Sequence, residues 1–273
     1  MKTFIFYLAV TITATFSVQA QAPQKPIVTQ TPTNTNNTVV SQNTTTQNTT
    51  TRKIGCISGD CVNGWGAWQF ENGYYEGFWE NGKRNGYGYY EWDTEGAYIG
   101  FFKDNVIEGY GSYENKDGLI KTGIYVRGML NGMGEEVIPD LVWKQGYYTN
   151  HTLTQELHLV SNYVDEGCIA GNCQDSYGQY KWANGNIFIG FFKNGVQLLG
   201  ALSFSNGDTY YGQFNQNGQL HGQGKLFYAN GVYYGGEFQN GKAHGRGYFE
   251  DKDRKRQIGV WENNALVYAY LKD

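Results

Sequence analysis

The sequence predicts an all-β protein, an elongated single-layer antiparallel meander of β-hairpins arranged as two tandem arrays. Three observations carry this expectation. The 273 residues include 38 Gly, 23 Tyr, 15 Phe and 7 Trp against 4 Pro and 4 Cys. Every glycine lies beyond residue 53, about one residue in six there, where roughly one in fourteen is usual. Gly-x-Gly pairs then recur at about 22 or 23 residues, and Asn-Gly steps separate the intervening aromatic runs. A collagen helix is excluded because no Gly-X-Y period is present, and the aromatic load excludes disorder of the glycine-rich part.

The chain opens with Lys2, an apolar run from Phe4 to Phe16 and the small-residue step Val18-Gln19-Ala20, which predicts an export signal over 1–20. The apolar run is too short for a span of about 20 residues, and no transmembrane segment is expected in the mature chain. Residues 21–53 are almost entirely Thr, Asn, Gln, Pro, Val and Ser, a composition that predicts a disordered tether. The triplets beginning at Asn36, Asn43 and Asn48 match an N-glycosylation pattern that arises easily by chance in such a tract. The expected location is therefore exported, periplasmic or extracellular.

The first array is read over 54–153. Its glycine pairs are Gly64/Gly66, Gly86/Gly88, Gly109/Gly111 and Gly132/Gly134; a weaker series, Gly178, Gly200, Gly222/Gly224 and Gly245/Gly247, marks a second array over 167–273. Ahead of most pairs stands an aromatic-x-Gly-x-aromatic run: Tyr75/Trp79, Tyr98/Phe102, Phe188/Phe192, Tyr210/Phe214 and Tyr234/Phe238. Side chains at spacing two share one face of a strand, and glycine between them leaves room for a ring from the neighbouring strand to lie flat across the backbone. Asn-Gly is the strongest short hairpin signal, because a tight turn matched to strand twist needs positive φ at both central residues. Gly55-Cys56-Ile57-Ser58-Gly59-Asp60-Cys61 matches Gly167-Cys168-Ile169-Ala170-Gly171-Asn172-Cys173 at an offset of 112, so one array has been duplicated. Residues 154–166 have no counterpart and are read as a connector, either a helix turn or an extended segment.

The unit, as in 75–92 and 233–249, resembles the MORN repeat, with its pattern Y-x-G-x-F/W-x-x-G-x-x-x-G-x-G. The likeness extends over nearly all of 63–263, and the CxxGxC element that leads each array is similar to what precedes MORN arrays in exported bacterial proteins. Departures at Lys121-Thr122-Gly123, Gly200-Ala201-Leu202 and Asn150-His151 predict local irregularity of the sheet. The resemblance implies a MORN-type scaffold for protein contact, self-association or membrane-proximal assembly, with catalysis supplied by attached domains, for which no stretch is left over here. Choline-type cell-wall-binding repeats share the Gly/aromatic texture and are the nearest rival pattern, but the paired Gly-x-Gly is better matched by MORN.

Residues 54–273 carry 17 basic against 25 acidic groups, the wrong sign for tracking nucleic-acid phosphates. Cys56 and Cys61, like Cys168 and Cys173, form C-x4-C pairs; four cysteines allow three connectivities, and the duplication favours a disulfide within each copy over a four-thiolate zinc site. His221 and His244 occupy equivalent repeat positions, too far apart at two strands for one ion. No catalytic set, metal or cofactor is predicted. The aromatic rows offer sugar-stacking platforms only if they are not core. The middle residues of the glycine pairs point to the opposite face: Trp65, Tyr87, Tyr110 and Met133 in the first array, Tyr177, Ala201, Gln223 and Arg246 in the second. One row is apolar and the other turns polar, which a lone sheet does not require, and the first row is the candidate surface for a protein partner or a second chain. The expected function is a non-enzymatic scaffold, with a glycan or cell-wall binding module as the alternative.

Overall fold

In the computed structural model, residues 52–138 and 142–272 are described. The predicted export signal, and all but the last two residues of the predicted tether, lie outside them. From Ile54 onward the described residues contain no helix, and their strands form two antiparallel ten-stranded meanders. The first comprises β1 Gly55–Gly59, β2 Trp65–Phe70, β3 Gly73–Glu80, β4 Lys83–Trp92, β5 Gly96–Lys103, β6 Val106–Asn115, β7 Ile120–Val126, β8 Met129–Ile138, β9 Val142–Thr149 and β10 Thr152–Leu157. The second comprises β11 Gly167–Gly171, β12 Tyr177–Lys181, β13 Ile187–Lys193, β14 Val196–Ser203, β15 Thr209–Phe214, β16 Leu220–Phe227, β17 Tyr233–Gln239, β18 Lys242–Glu250, β19 Arg256–Glu262 and β20 Ala265–Lys272. Every strand pairs with its sequence neighbour, so neither sheet closes on itself.

Register explains the glycine period. Gly66, Gly77, Gly88, Gly100, Gly111, Gly123, Gly134 and Gly146 stand opposite one another in turn across β2 to β9. The second sheet repeats the row from Gly178 to Gly259. The ring of Tyr75 lies over Gly77 and Gly88, where a Cβ on Gly88 would stand 2.6 Å from its hydroxyl. That hydroxyl donates to the Phe78 carbonyl at 3.0 Å, and Tyr98, Tyr210 and Tyr234 donate likewise to the carbonyl three residues on. The rings then interlock edge to face: Tyr75 with Phe102 at 5.1 Å, Tyr98 with Phe102 at 5.3 Å and with Tyr125 at 5.2 Å. Sheet two has the same zigzag from Phe188 to Trp261. Each sheet thus builds a core on one of its own faces.

The expected irregularities do not interrupt pairing. At Lys121-Thr122-Gly123 the missing aromatic is replaced by Leu130, whose methyls reach Gly123 and Gly134. At Gly200-Ala201-Leu202 the glycine row continues because Gly200 takes the place that Gly88 holds in the first sheet. Asn150 and His151, with φ of 49° and 66°, form the tight turn between β9 and β10. Residues 154–157 complete β10, and the segment after them runs beside β11, with one bridge between Ser161 and Ala170.

Candidate functional site

The faces opposite the glycine-spanning rings pack against each other. Trp65 meets Tyr248 at 5.4 Å, Phe78 meets Tyr270 at 5.8 Å and Tyr147 meets Phe191 at 5.8 Å. Tyr87 and Tyr233 are joined through their hydroxyls. The two sheets therefore run against each other in opposite order, from β2 and β3 against β18 and β20, through β4 against β17 and β18 and β6 against its own counterpart β16, to β8 and β9 against β12 and β13. This is the arrangement of an isologous dimer held within one chain.

The row Trp65, Tyr87, Tyr110 and Met133 lies in this contact: the first three are buried, and Met133 is partly so. The burial of Trp65, Tyr87 and Tyr110 against the second sheet leaves these three no open surface for a separate partner. In the second sheet, register places Leu199, not Ala201, opposite in role to Tyr87. The polar drift of that row is explained by what it meets. Gln223 Oε1 accepts the Tyr110 amide at 2.6 Å, and Arg246 donates to the Asn85 carbonyl at 3.2 Å and pairs with Glu80 at 2.9 Å. Two tyrosines at the β6–β16 crossing would compete for one space; Tyr110 with Gln223 fills it and satisfies a backbone donor.

Two titratable groups lie here that the sequence does not mark as buried: Lys225, and Glu135, which from the sequence alone reads as a solvated turn or edge carboxylate. Lys225, 3% exposed, directs Nζ toward the Ile99 carbonyl at 3.4 Å and Ser112 Oγ at 3.5 Å, and loss of hydration lowers its pKa to about 7. Glu135 accepts the Tyr177 hydroxyl at 2.8 Å, and desolvation raises its carboxyl to about 7. The available signal was alternation: Lys225 shares a strand face with Gln223, two residues away.

The MORN repeat family matches residues 75–96, 98–120, 122–140, 174–187, 210–233 and 234–256. This is a MORN-repeat protein. No curated protein matches the chain. The unmatched stretch 188–209 nevertheless forms β13 and β14 with full pairing, so the repeat geometry outlasts its sequence signature.

Each MORN array is led by a disulfide, Cys56–Cys61 and Cys168–Cys173, the pairing expected from the duplication. Two disulfides indicate an oxidising environment. No helix among the described residues is long and apolar enough to cross a membrane. The aromatic rows Tyr75/Trp79, Tyr98/Phe102, Phe188/Phe192, Tyr210/Phe214 and Tyr234/Phe238 are all buried, so they are core and present no stacking face. His221 accepts the Asn240 amide through Nδ1 at 3.5 Å, a repeat-to-repeat turn contact.

Exposed large apolar side chains concentrate elsewhere. Val160, Tyr163 and Val164 lie in the segment after β10, and Val267 and Tyr268 lie on the edge strand β20. A Cβ on Gly64, just before β2, would lie 3.3 Å from the Tyr270 ring, so the β20 edge sits at the same end as exposed Ile57 of β1. A cleft of about 830 Å³ opens beside Cys168–Cys173 on the glycine-spanned face of the second array.

Proposed function

We propose that this MORN-repeat protein is an exported, non-enzymatic scaffold that binds a protein partner along the free edge of β20. The observation that carries the reading is the exposure of Val267 (53%) and Tyr268 (59%) on a strand with one unpaired side. An edge strand of this kind offers backbone donors and acceptors for strand addition, with side chains supplying specificity. The face that a single array would use for self-association is occupied by its own duplicate, which directs an external partner to edges and ends. MORN repeats serve as scaffolds for protein or membrane interaction, which agrees with this use.

The test is affinity capture from the envelope and culture fractions with the full chain, followed by reconstitution with the purified partner. Val267→Lys with Tyr268→Ser is expected to lower partner affinity about ten-fold or more while leaving thermal unfolding nearly unchanged, as removal of an interface anchor does. Absence of any reproducible protein partner, or affinity unchanged in the double variant, overturns the reading.

A further inference from the structure

The two arrays place the same framework beside their disulfides and furnish it differently. In the first, Arg84 stands opposite Trp79 and its guanidinium lies 5.0 to 5.8 Å from the ring centroids of Phe70, Tyr75, Tyr90 and Phe102. It donates to the Asn105 carbonyl at 2.7 Å, and next to it Lys83 pairs with Asp104 at 3.1 Å. These side chains fill the space between neighbouring turns. In the second array the register position of Arg84 is Gln197, opposite Phe192, and that of Lys83 is Val196. The turn that carries Gln216 and Asn217, one residue longer, stands where Asp104 and Asn105 form the turn of the first. Every charged group of the first site has been replaced by an amide or an alkyl group, and the space is open.

We propose that this cleft of the second array binds a neutral saccharide. Its volume of about 830 Å³ falls within the range of small-ligand sites, roughly 300 to 1,000 Å³. One wall is the ring pair Tyr180 and Trp182, with centroids 4.8 Å apart and both partly exposed. The rim carries the amides of Gln174, Gln197, Gln216 and Asn217. Aromatic faces meet the C–H faces of sugar rings, and amides both donate to and accept from ring hydroxyls. No lining residue is charged, so phosphate, carboxylate and ammonium ligands find no counter-charge there. The amide-rich rim favours a hydroxyl-bearing ligand over an apolar one. The ion pair of Lys193 with Asp175 at 2.9 Å lies nearby, but its two members neutralise each other outside the lining. The inference stands apart from the β20 edge and survives if that edge has no partner.

The test is co-sedimentation of the full chain with particulate chitin, cellulose and starch, at low salt and again at high salt. Retention on at least one polysaccharide, unaffected by salt, is expected. Trp182→Ala should lower it about ten-fold or more, as loss of an aromatic anchor does. Gln197→Arg reproduces the filling residue of the first array and should abolish retention with the thermal transition kept. Gln216→Ala with Asn217→Ala changes only two exposed side chains and should weaken retention without altering the fold. Failure of all three polysaccharides to retain the chain overturns the proposal. Retention that is undiminished in the Trp182→Ala and Gln216→Ala/Asn217→Ala proteins overturns it equally.

Discussion

A tyrosine laid over two glycines is the smallest unit of this structure. The Tyr75 ring covers the crossing of β3 and β4, and its hydroxyl is held by the Phe78 carbonyl, so the ring is buried without help from another layer. Gly88 has no positive φ, and its intolerance of a side chain is purely steric: an added Cβ would meet Tyr75 Cε2 at 2.7 Å. Gly88→Ala is expected to cost about 1–3 kcal/mol in urea unfolding, the usual range for overpacking. Tyr75→Leu frees the space at a large cost of its own, so the double variant should be less destabilised than the sum of the two singles. Strict additivity would show that ring and glycine are not in contact. Tyr75→Phe removes only the hydrogen bond and should cost about 1 kcal/mol. This unit was legible in the sequence as aromatic-x-Gly-x-aromatic, with one refinement: a single ring spans the glycines of both strands.

Hairpins are the next scale, and their turns fall into two kinds. Asn81-Gly82, Asn194-Gly195 and Asn240-Gly241 have positive φ at both residues, as a two-residue primed turn requires. At Asn72-Gly73 the glycine already pairs with Phe70 and Trp92 inside the sheet, so the same dipeptide marks a hairpin without fixing its turn. Turns on one side also bond to the neighbouring hairpin: Asn105 N donates to Arg84 O, Gly128 N to Ile107 O and His151 N to Leu130 O, each at 2.9 to 3.0 Å. Coupling of this kind is between nearest neighbours, so damage at an array end should stay there. Replacing Cys56 and Cys61 with Ser removes a short loop closure, about 2 kcal/mol in the chain-entropy account. Hydrogen exchange should accelerate in β1 and β2 and remain unchanged from β4 onward; acceleration across the whole sheet would contradict nearest-neighbour coupling. Strand order was readable from the period. The filling of the Lys121 gap by Leu130 was not, because it depends on a residue from the partner strand.

Over the folded unit the decisive contact is between the sheets, and it was only half legible. The sequence showed one apolar row and one polar row; that they face each other depends on how the chain turns back after β10, which no local pattern encodes. Tyr87→Ser with Tyr110→Ser should therefore destabilise the fold, by about 3 kcal/mol or more for each large-to-small change in a buried contact. An unchanged urea midpoint would mean the sheets do not depend on this row. The same contact makes stability depend on pH. Glu135 has its pKa raised from 4.5 to about 7 by desolvation, so its contribution is full below about pH 4.5 and is lost as pH rises to 7. Lys225 has its pKa lowered from 10.5 to about 7 by the same cause, so its contribution is full above pH 10.5 and is lost as pH falls to 7. The two effects act in opposite directions and place their combined minimum near pH 7. Each tenfold change in proton affinity is worth about 1.4 kcal/mol, and Lys225, the more buried of the two, should carry the larger share. Urea unfolding of the wild type, Lys225→Met and Glu135→Gln at about pH 5, 7 and 9 separates them. Lys225→Met should gain over the wild type at pH 5 as much as at pH 7 and lose that gain toward pH 9, whereas Glu135→Gln should gain at pH 9 as much as at pH 7 and lose its gain toward pH 5. Differences that do not vary with pH would mean that both side chains reach water, and that the sheets do not close over them.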